Sequence, residues 1–208
     1  MSLKLVRGTR DIFDRENFLF RKIVDLSREI SERYGYQEIT TPIIEYSEVF
    51  EKSLGESSDV VSKEMYTFQD RSGNNLTLRP EGTAGVARAF ISGKLKDKLP
   101  IRFFYHGPMF RYERPQKGRY RQFNQIGVEL LGVDDHQADI ESIALGQHIL
   151  KELNLSDNVS LMINSLGDLE SRENYKKELV NYLSKYRSDL SEDSQIRLDK
   201  NPLRILDS

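Results

Sequence analysis

The 208-residue chain contains no cysteine, which excludes a disulfide framework and a metal site built from thiolates. Histidine is scarce as well: His106, His136 and His148 are far apart in the sequence, so we predict no zinc site and no other bound metal. No apolar run reaches the roughly 18 residues of a membrane span, and the first residues lack the apolar core of a signal peptide. These absences favour a cytoplasmic protein that does not contact a membrane.

An excess of charge of one sign is also missing, because the formal net charge is only -2. Binding of nucleic acid would therefore need a local basic patch. The glycine-rich patterns GxGxxG and GxxxxGK[ST] are absent, which excludes the two familiar nucleotide-binding loops. A basic patch is present, since residues 111–121 contain five cations and one acid, Glu113. The cations are Arg111, Arg114, Lys117, Arg119 and Arg121.

Strand and helix patterns follow one another in an order that favours an α+β fold, an antiparallel sheet with flanking helices. Apolar spacing predicts helices over residues 15–34 and about 136–153, and a helix of about 14 residues after TLRPEGTAG (77–85). Strand patterns occupy residues 37–46, 64–68, 75–79, 101–110, 121–132 and 158–167. Pro42 interrupts the first of them, which indicates an edge or an interface.

A change of composition at residue 168 predicts two parts. Residues 1–167 carry the strand patterns, and residues 168–208 are highly charged with helical spacing. We expect the second part to be the start of a separate helical insertion.

Alternate residues of the 121–132 strand form a face suited to a small ligand, because side chains on a strand alternate between its two sides. The even-numbered positions are apolar and predict a core face. Phe123 offers a stacking surface for a planar base, Gly127 leaves room for a ligand on the sheet, and Glu129 can bind an amine or a ring N–H. Arg121 and Gln125 share this face. A solvated sheet face with a basic hairpin tip remains the alternative.

A second patch is TLRPEGTAG. Glu81 and Thr83 offer a carboxylate and a hydroxyl at the mouth of a helix, and Gly82 lets a ligand approach the backbone. The same side chains can instead cap the helix by accepting from its free N–H groups. Both interpretations stay open at this point.

Seven motifs resemble the N-terminal part of bacterial histidyl-tRNA synthetases, which are class II aminoacyl-tRNA synthetases, over essentially the whole chain. They are RGTRD (7–11), YGYQEITTPIIE (34–45), KEMYTF (63–68), TLRPEGTA (77–84), GPMFRYERPQKGRYRQFNQIGVELLG (107–132), NSLGD (164–168) and NPLRILDS (201–208). The resemblance implies a six-stranded antiparallel sheet surrounded by helices. It also implies a homodimer formed through the 15–34 helix and the strand with Pro42, and a class II core over residues 1–167.

The resemblance implies binding sites for L-histidine and ATP, with Mg²⁺ accompanying ATP. Arg111 would hold the α-phosphate and the histidine carboxylate, as the catalytic residue. Phe123 would stack on adenine, Glu113 would lie near its amino group, and Arg119 and Arg121 would contact the outer phosphates or the flexible loop. The residues implied for histidine binding are Glu81, Gly82, Thr83, Arg111, Gln125 and Glu129.

The implied function is that of a ligase in translation, which activates histidine to histidyl-adenylate and transfers it to tRNA(His). The family's third class motif and its anticodon-binding domain have no counterpart in these residues, so we expect a truncated chain that is inactive alone. One alternative is a regulatory, synthetase-like subunit of ATP phosphoribosyltransferase, whose members tend to read RPD-x-T where this chain has RPEGT. The other is an RNA-binding module that uses the basic hairpin. It would bind any RNA in a salt-dependent way and would leave Glu81 and Glu129 without a purpose.

Overall fold

A computed structural model describes residues 3–54, 58, 60–165 and 167–207. Contacts divide the chain into two units, Met1–Val159 and Ser160–Ser208. Helices of the first unit are α1 (Asp14–Arg33), α2 (Ser47–Leu54), α3 (Thr83–Ser92) and α4 (His136–Glu152). Its strands are β1 (Gln37–Glu38), β2 (Ile44–Tyr46), β3 (Tyr66–Gln69), β4 (Asn75–Leu78), β5 (Ile101–Phe110) and β6 (Gln122–Leu131). The second unit contains α5 (Leu169–Ser184) and α6 (Glu192–Lys200).

The strands form two three-stranded sheets, in the orders β1-β5-β6 and β2-β4-β3. The α+β class is confirmed, but the expectation of one six-stranded antiparallel sheet is wrong for these residues, since β1 is parallel to β5. Pro42 supplies the reason. It lacks an N–H for a ladder and separates β1 from β2, so the single strand predicted over residues 37–46 becomes two short strands in different sheets.

The β5–β6 hairpin positions the candidate site. Its ten residue pairs run from Ile101 opposite Leu131 to Phe110 opposite Gln122. The even-numbered residues of both strands form what we call the even face, which packs against α1 and α4. There, Tyr36 and Leu145 bury Phe104. The odd-numbered residues form the odd face.

The odd face contributes to the core as well, which the sequence did not predict. Tyr105 and Met109 are buried on it together with Val86 of α3, and Phe123 packs against this cluster. Ile126 of the even face, in contrast, remains partly exposed. Both faces therefore contribute buried side chains to the core, because Val86 of α3 packs with Tyr105 and Met109 on the odd face.

Helix α1 confirms the helix predicted over residues 15–34 to within one residue at each end. Asp14 and Glu16 lie in its first turn and Arg33 in its last, where each charge is favourable for the helix dipole. The chain turns after it at Gly35, whose φ is +83°, a conformation that glycine adopts without strain.

No helix in the described part of the chain is long and apolar enough to span a membrane.

The strand predicted over residues 158–167 is absent. Residues 159–165 have no regular structure, and Met162 is 90% exposed; Leu166 lies outside the described residues. The apolar run VSLMI has strand propensity, but a strand needs a partner for its ladder, and none of the described strands pairs with it.

Candidate functional site

The ring of Tyr105 occupies the space beside Gly127 in which the sequence analysis predicted a ligand. Its ring lies between Gly82, just before α3, and Gly127, directly opposite it in β6. A Cβ at either glycine would overlap the ring, so both glycines are needed for it to fit. The prediction that Gly127 leaves room for a ligand is therefore wrong. An aromatic residue paired with a strand glycine often covers that glycine, and this pairing was the signal that sequence reasoning missed.

The hydroxyl of Thr83 joins α3 to β6 by donating to Oε1 of Glu129 at 2.7 Å. Burial raises the pKa of the Glu129 carboxyl, the nearby Glu81 charge raises it further, and the bonds from Thr83 and Tyr105 oppose this. Burial also raises the pKa of Tyr105. Within the described ranges, neither Glu81 nor Glu129 forms an ion pair. This end of the odd face therefore favours a partner that brings positive charge or N–H donors.

Glu81 caps α3, as the structural interpretation of TLRPEGTAG predicted. Its Oε2 accepts from the backbone N of Thr83 at 2.6 Å, and its Oε1 accepts from the backbone N of Ala84 at 2.8 Å. A carboxylate has about four acceptor positions, so capping leaves Glu81 able to bind a ligand as well.

Gln125 lies on the same odd face between Phe123 and Glu129, opposite Gly107. Its Oε1 is buried, and no side chain or backbone group of the described residues donates to it. Buried acceptors are nearly always paired in native proteins. The orphaned oxygen is consequently a position where a ligand N–H would be stabilised.

Arg111 follows β5 directly and reaches the other end of the odd face. Its Nε donates to the backbone O of Pro80 at 2.9 Å, and its guanidinium carbon lies 5.2 Å from the centre of the Phe123 ring. The Glu113 carboxylate is 3.9 Å from Nη1 of Arg111 and 3.5 Å from Nη1 of Arg119. The structure thus brings Arg111, Glu113 and Phe123 together and leaves further guanidinium N–H groups for an anion.

Arg119 and Arg121 differ in their surroundings. The Arg119 side chain is 63% exposed. The Arg121 guanidinium instead stacks 3.9 Å above the centre of the Tyr112 ring, and its Nε donates to the backbone O of Glu113 at 3.1 Å. Arg121 therefore shapes the loop that carries it, whereas Arg119 is able to swing toward a ligand.

Arg79 is a buried cation that sequence reasoning left out. It donates to the backbone O of Pro108 and to both oxygens of Thr41, at 2.9 to 3.1 Å, and burial lowers its pKa. Its guanidinium lies against Gly107, where a Cβ would collide with it. Arg79 joins the end of β4 to β5 and so fixes Pro80 and Glu81 beside the odd face.

Comparisons with known proteins relate the chain to one protein family. A family model described as Histidyl-tRNA synthetase matches residues 8–186. The histidine–tRNA ligase of Rhodospirillum rubrum is 56% identical over 207 residues, which are 100% of this chain and 50% of that protein. The enzyme of the same name from the Wolbachia of Culex pipiens is 54% identical over 208 residues, 51% of its length. The chain spans about half the length of the curated relatives it matches.

Solved structures give the same result for the fold. The apo histidyl-tRNA synthetase of Staphylococcus aureus superposes with a TM-score of 0.75 at 38% identity, covering 98% of this chain and 48% of that one. A Bacillus halodurans protein described as an ATP phosphoribosyltransferase regulatory subunit/histidyl-tRNA synthetase gives a TM-score of 0.67 at 28% identity, covering 95% and 55%.

Proposed function

Since the chain belongs to the histidyl-tRNA synthetase family, we propose that it provides the histidine- and ATP-binding part of a histidine–tRNA ligase. One observation carries the proposal: two carboxylates without a cationic partner among the described residues and an orphaned buried amide oxygen share the odd face with Arg111. L-histidine offers complementary groups at both ends, an ammonium with ring N–H groups and a carboxylate.

In this proposal the amino acid lies along the odd face. Glu81, Thr83 and Gln125 receive or orient its ammonium group, and Glu129 accepts from a ring N–H. Gly82 contributes through its backbone, because a side chain there would displace Tyr105. The charge-assisted bonds to carboxylates would be the strongest contacts.

ATP takes the end of the face near Arg111. Phe123 stacks on adenine, Glu113 accepts from its amino group, and Arg119 and Arg121 support the outer phosphates. Mg²⁺ enters with the nucleotide, since it prefers phosphate oxygens and keeps part of its water shell. Among the described residues, no group of three or more His, Cys, Asp or Glu side chains could hold a metal ion.

The reaction then needs positioning rather than a general base, because the histidine carboxylate is already a nucleophile. Its oxygen attacks the α-phosphorus of ATP, the bond from that phosphorus to the bridging oxygen breaks, and pyrophosphate leaves. Arg111 stabilises the charge that develops on the α-phosphate. A ribose hydroxyl at the 3′ end of tRNA(His) next attacks the carbonyl carbon of the adenylate, an ester bond forms, the bond from that carbon to the phosphate oxygen breaks, and AMP leaves.

The same proposal includes the domain organisation of the chain and its assembly into a dimer. Residues 1–167 form the class II core with its first two motifs, and residues 168–208 begin a helical insertion in a cytoplasmic protein. A second copy of the chain would cover α1 and the Pro42 region. Large exposed apolar side chains there support a homodimer: Phe18, Leu19, Ile23, Ile43, Ile44 and Tyr46.

The test is a chimera in which this chain replaces the matching half of the Rhodospirillum rubrum ligase. We expect ATP–pyrophosphate exchange that depends on histidine and on no other amino acid, and its loss in the Arg111→Ala chimera. The isolated chain should bind ATP and histidine by calorimetry but exchange almost nothing. A folded chimera that binds both ligands without exchange would contradict the proposed catalytic function.

A regulatory subunit is the second candidate, because the Bacillus halodurans protein with the same fold carries the name of such a subunit. It predicts histidine binding without exchange in any context. The chain reads RPEGT rather than RPD-x-T and retains the whole loop ERPQKGRYRQF, which favours the ligase.

A further inference from the structure

The N-terminal segment of residues 6–12, which we call the strap, lies against residues 112–121, which we call the basic loop. The strap is itself a tight turn: the backbone N and the hydroxyl of Thr9 donate to the backbone O of Val6, at 3.0 and 2.8 Å. Gly8 has a φ of +85° within this turn, which disfavours any residue with a side chain.

Gly8 makes the first contact between the strap and the basic loop. Its backbone O accepts from the backbone N of Arg121 at 2.7 Å. A Cβ on Gly8 would lie 2.7 Å from Cγ and 2.9 Å from Cδ of Arg121. Arg121 can therefore lie along the strap only because position 8 has no side chain.

Arg10 makes the second contact. Its guanidinium carbon lies 4.6 Å from the centre of the Tyr120 ring, within the range of a cation–π interaction. The same guanidinium forms an ion pair with Glu16 of α1 at 2.6 Å. Arg10 thus connects the C-terminal side of the basic loop to a rigid helix outside it.

The contacts of Gly8 and Arg10 lie at the C-terminal end of the basic loop, where the loop joins β6. The tip is closed by two backbone bonds between Gln116 and Arg119, but they do not fix the tip relative to the sheet. The strap holds Tyr120 and Arg121, which directly follow Arg119 and directly precede β6. From this geometry we propose that Gly8 and Arg10 are positioning residues that fix the basic loop for the phosphates of ATP. The inference rests on the proposed function.

The expected effect follows from the population of the competent loop. If only a fraction of molecules has the loop in place, the apparent dissociation constant for ATP rises as the inverse of that fraction. Loss of an exposed cation–π contact, about 0.5–1 kcal/mol, predicts about two- to fivefold weaker ATP binding for Arg10→Ala. Gly8→Ala, which adds backbone strain and a collision, should weaken it about tenfold.

The experiment uses the 208-residue chain with two readouts, calorimetric dissociation constants for ATP, AMP and histidine, and hydrogen exchange of the Arg121 amide. Arg7→Ala is the control for Arg10→Ala, because the Arg7 side chain forms no hydrogen bond or ion pair with the described residues. Gly73→Ala is the control for Gly8→Ala. Gly73 has a φ of +83°, and nothing lies within 4 Å of a Cβ there.

We expect both strap variants to weaken ATP more than AMP, to leave histidine binding unchanged and to accelerate exchange at Arg121, while both controls match the wild type. Arg10→Lys should restore part of the ATP affinity. If the wild-type chain binds ATP and neither Gly8→Ala nor Arg10→Ala weakens that binding, the strap proposal is overturned. The proposed function would be unaffected by that result. A wild-type chain that binds no ATP would instead contradict the proposed function, and the Arg121 exchange rates would then report only whether the strap orders the loop.

Discussion

The two faces of the β5–β6 hairpin differ in whether their carboxylates are paired with a cation. On the even face, Arg102 donates to both carboxylate oxygens of Glu141 at 2.7 and 2.9 Å. On the odd face, Glu129 accepts only from neutral groups and lies near a second carboxylate, Glu81. Hydrogen bonds from Arg102 lower the pKa of Glu141, whereas burial raises the pKa of Glu129.

This difference separates charge that stabilises the fold from charge that is available for binding. A paired carboxylate favours the folded chain. A half-buried carboxylate without a cation opposes folding and gains its partner only when a ligand arrives, which is the usual cost of a preformed site.

The largest expected effect is a loss of stability when a buried ring is removed from the core. Phe104→Ala on the even face should lower the free energy of unfolding by about 3–5 kcal/mol, because the ring is fully buried between Tyr36 and Leu145. Phe123→Ala on the odd face should cost less than half as much, since that ring is only partly buried, but should weaken ATP binding about tenfold. Urea unfolding followed by circular dichroism measures the first, and calorimetry the second. Equal stability losses would contradict the difference in burial between the two rings.

Removing the paired charge comes next. Glu141→Gln should lower the free energy of unfolding by about 1–2 kcal/mol at pH 7, because it breaks the two charge-assisted bonds from Arg102. The stability that Glu141 contributes is present above its unfolded pKa and is lost as the pH falls through its lowered folded pKa. The gap between variant and wild type should therefore close in acid. Glu32→Gln, at an exposed glutamate without a side-chain partner in the described structure, is the control and should show no such gap.

Removing the unpaired charge should have the opposite sign. Glu129→Gln keeps an acceptor for Thr83 and removes a half-buried charge, so the free energy of unfolding should rise by up to about 1 kcal/mol at neutral pH. The raised folded pKa means that the wild type is stabilised by Glu129 below its unfolded pKa and loses this contribution as the pH rises through the folded value. Urea unfolding from pH 4 to 8 should show the variant gaining on the wild type with rising pH. Histidine binding should fall about thirtyfold or more. A variant that is less stable at pH 7 would contradict this account.

The smallest effect on stability is expected at the tip of the basic loop. The side chains of Arg114 and Lys117 are exposed and form no hydrogen bond or ion pair with the described residues, so alanine at either position should change the free energy of unfolding by less than about 0.5 kcal/mol. If either cation meets a tRNA phosphate, its loss reduces the slope of log affinity against log salt by about 0.7–0.9. Filter binding at several salt concentrations measures the slope, and an unchanged slope for both variants would exclude the tip as a phosphate contact.

Local sequence patterns predicted the long elements well. β5 was predicted over residues 101–110 and found there, and α4 ends one residue before the predicted position. Both have patterns long enough to be unambiguous. Residues 158–167 were predicted as a strand but lack one where they are described, because propensity does not reveal whether a pairing partner exists.

The site was predicted in part. The odd-numbered residues of β6 do share one face, since alternation is a local property of strands. The neighbours of that face depend on packing between distant segments. No local pattern showed that the Tyr105 ring would also reach Gly82, that Glu81 would lie near Glu129, or that Gly8 would contact Arg121.

The position of Tyr105 between two glycines has a consequence for motion. A tyrosine ring rotates about its axis only when its neighbours move apart, and here the neighbours are the backbone at the start of α3 and the backbone of β6. Rotation of this ring should therefore be slow enough to separate the NMR signals of its two edges, unlike those of the exposed tyrosines. The rate of ring rotation, obtained from the merging of the two signals on warming, would measure how often the start of α3 lifts from the sheet. This rotation rate would fall when a ligand bridges Thr83 and Glu129.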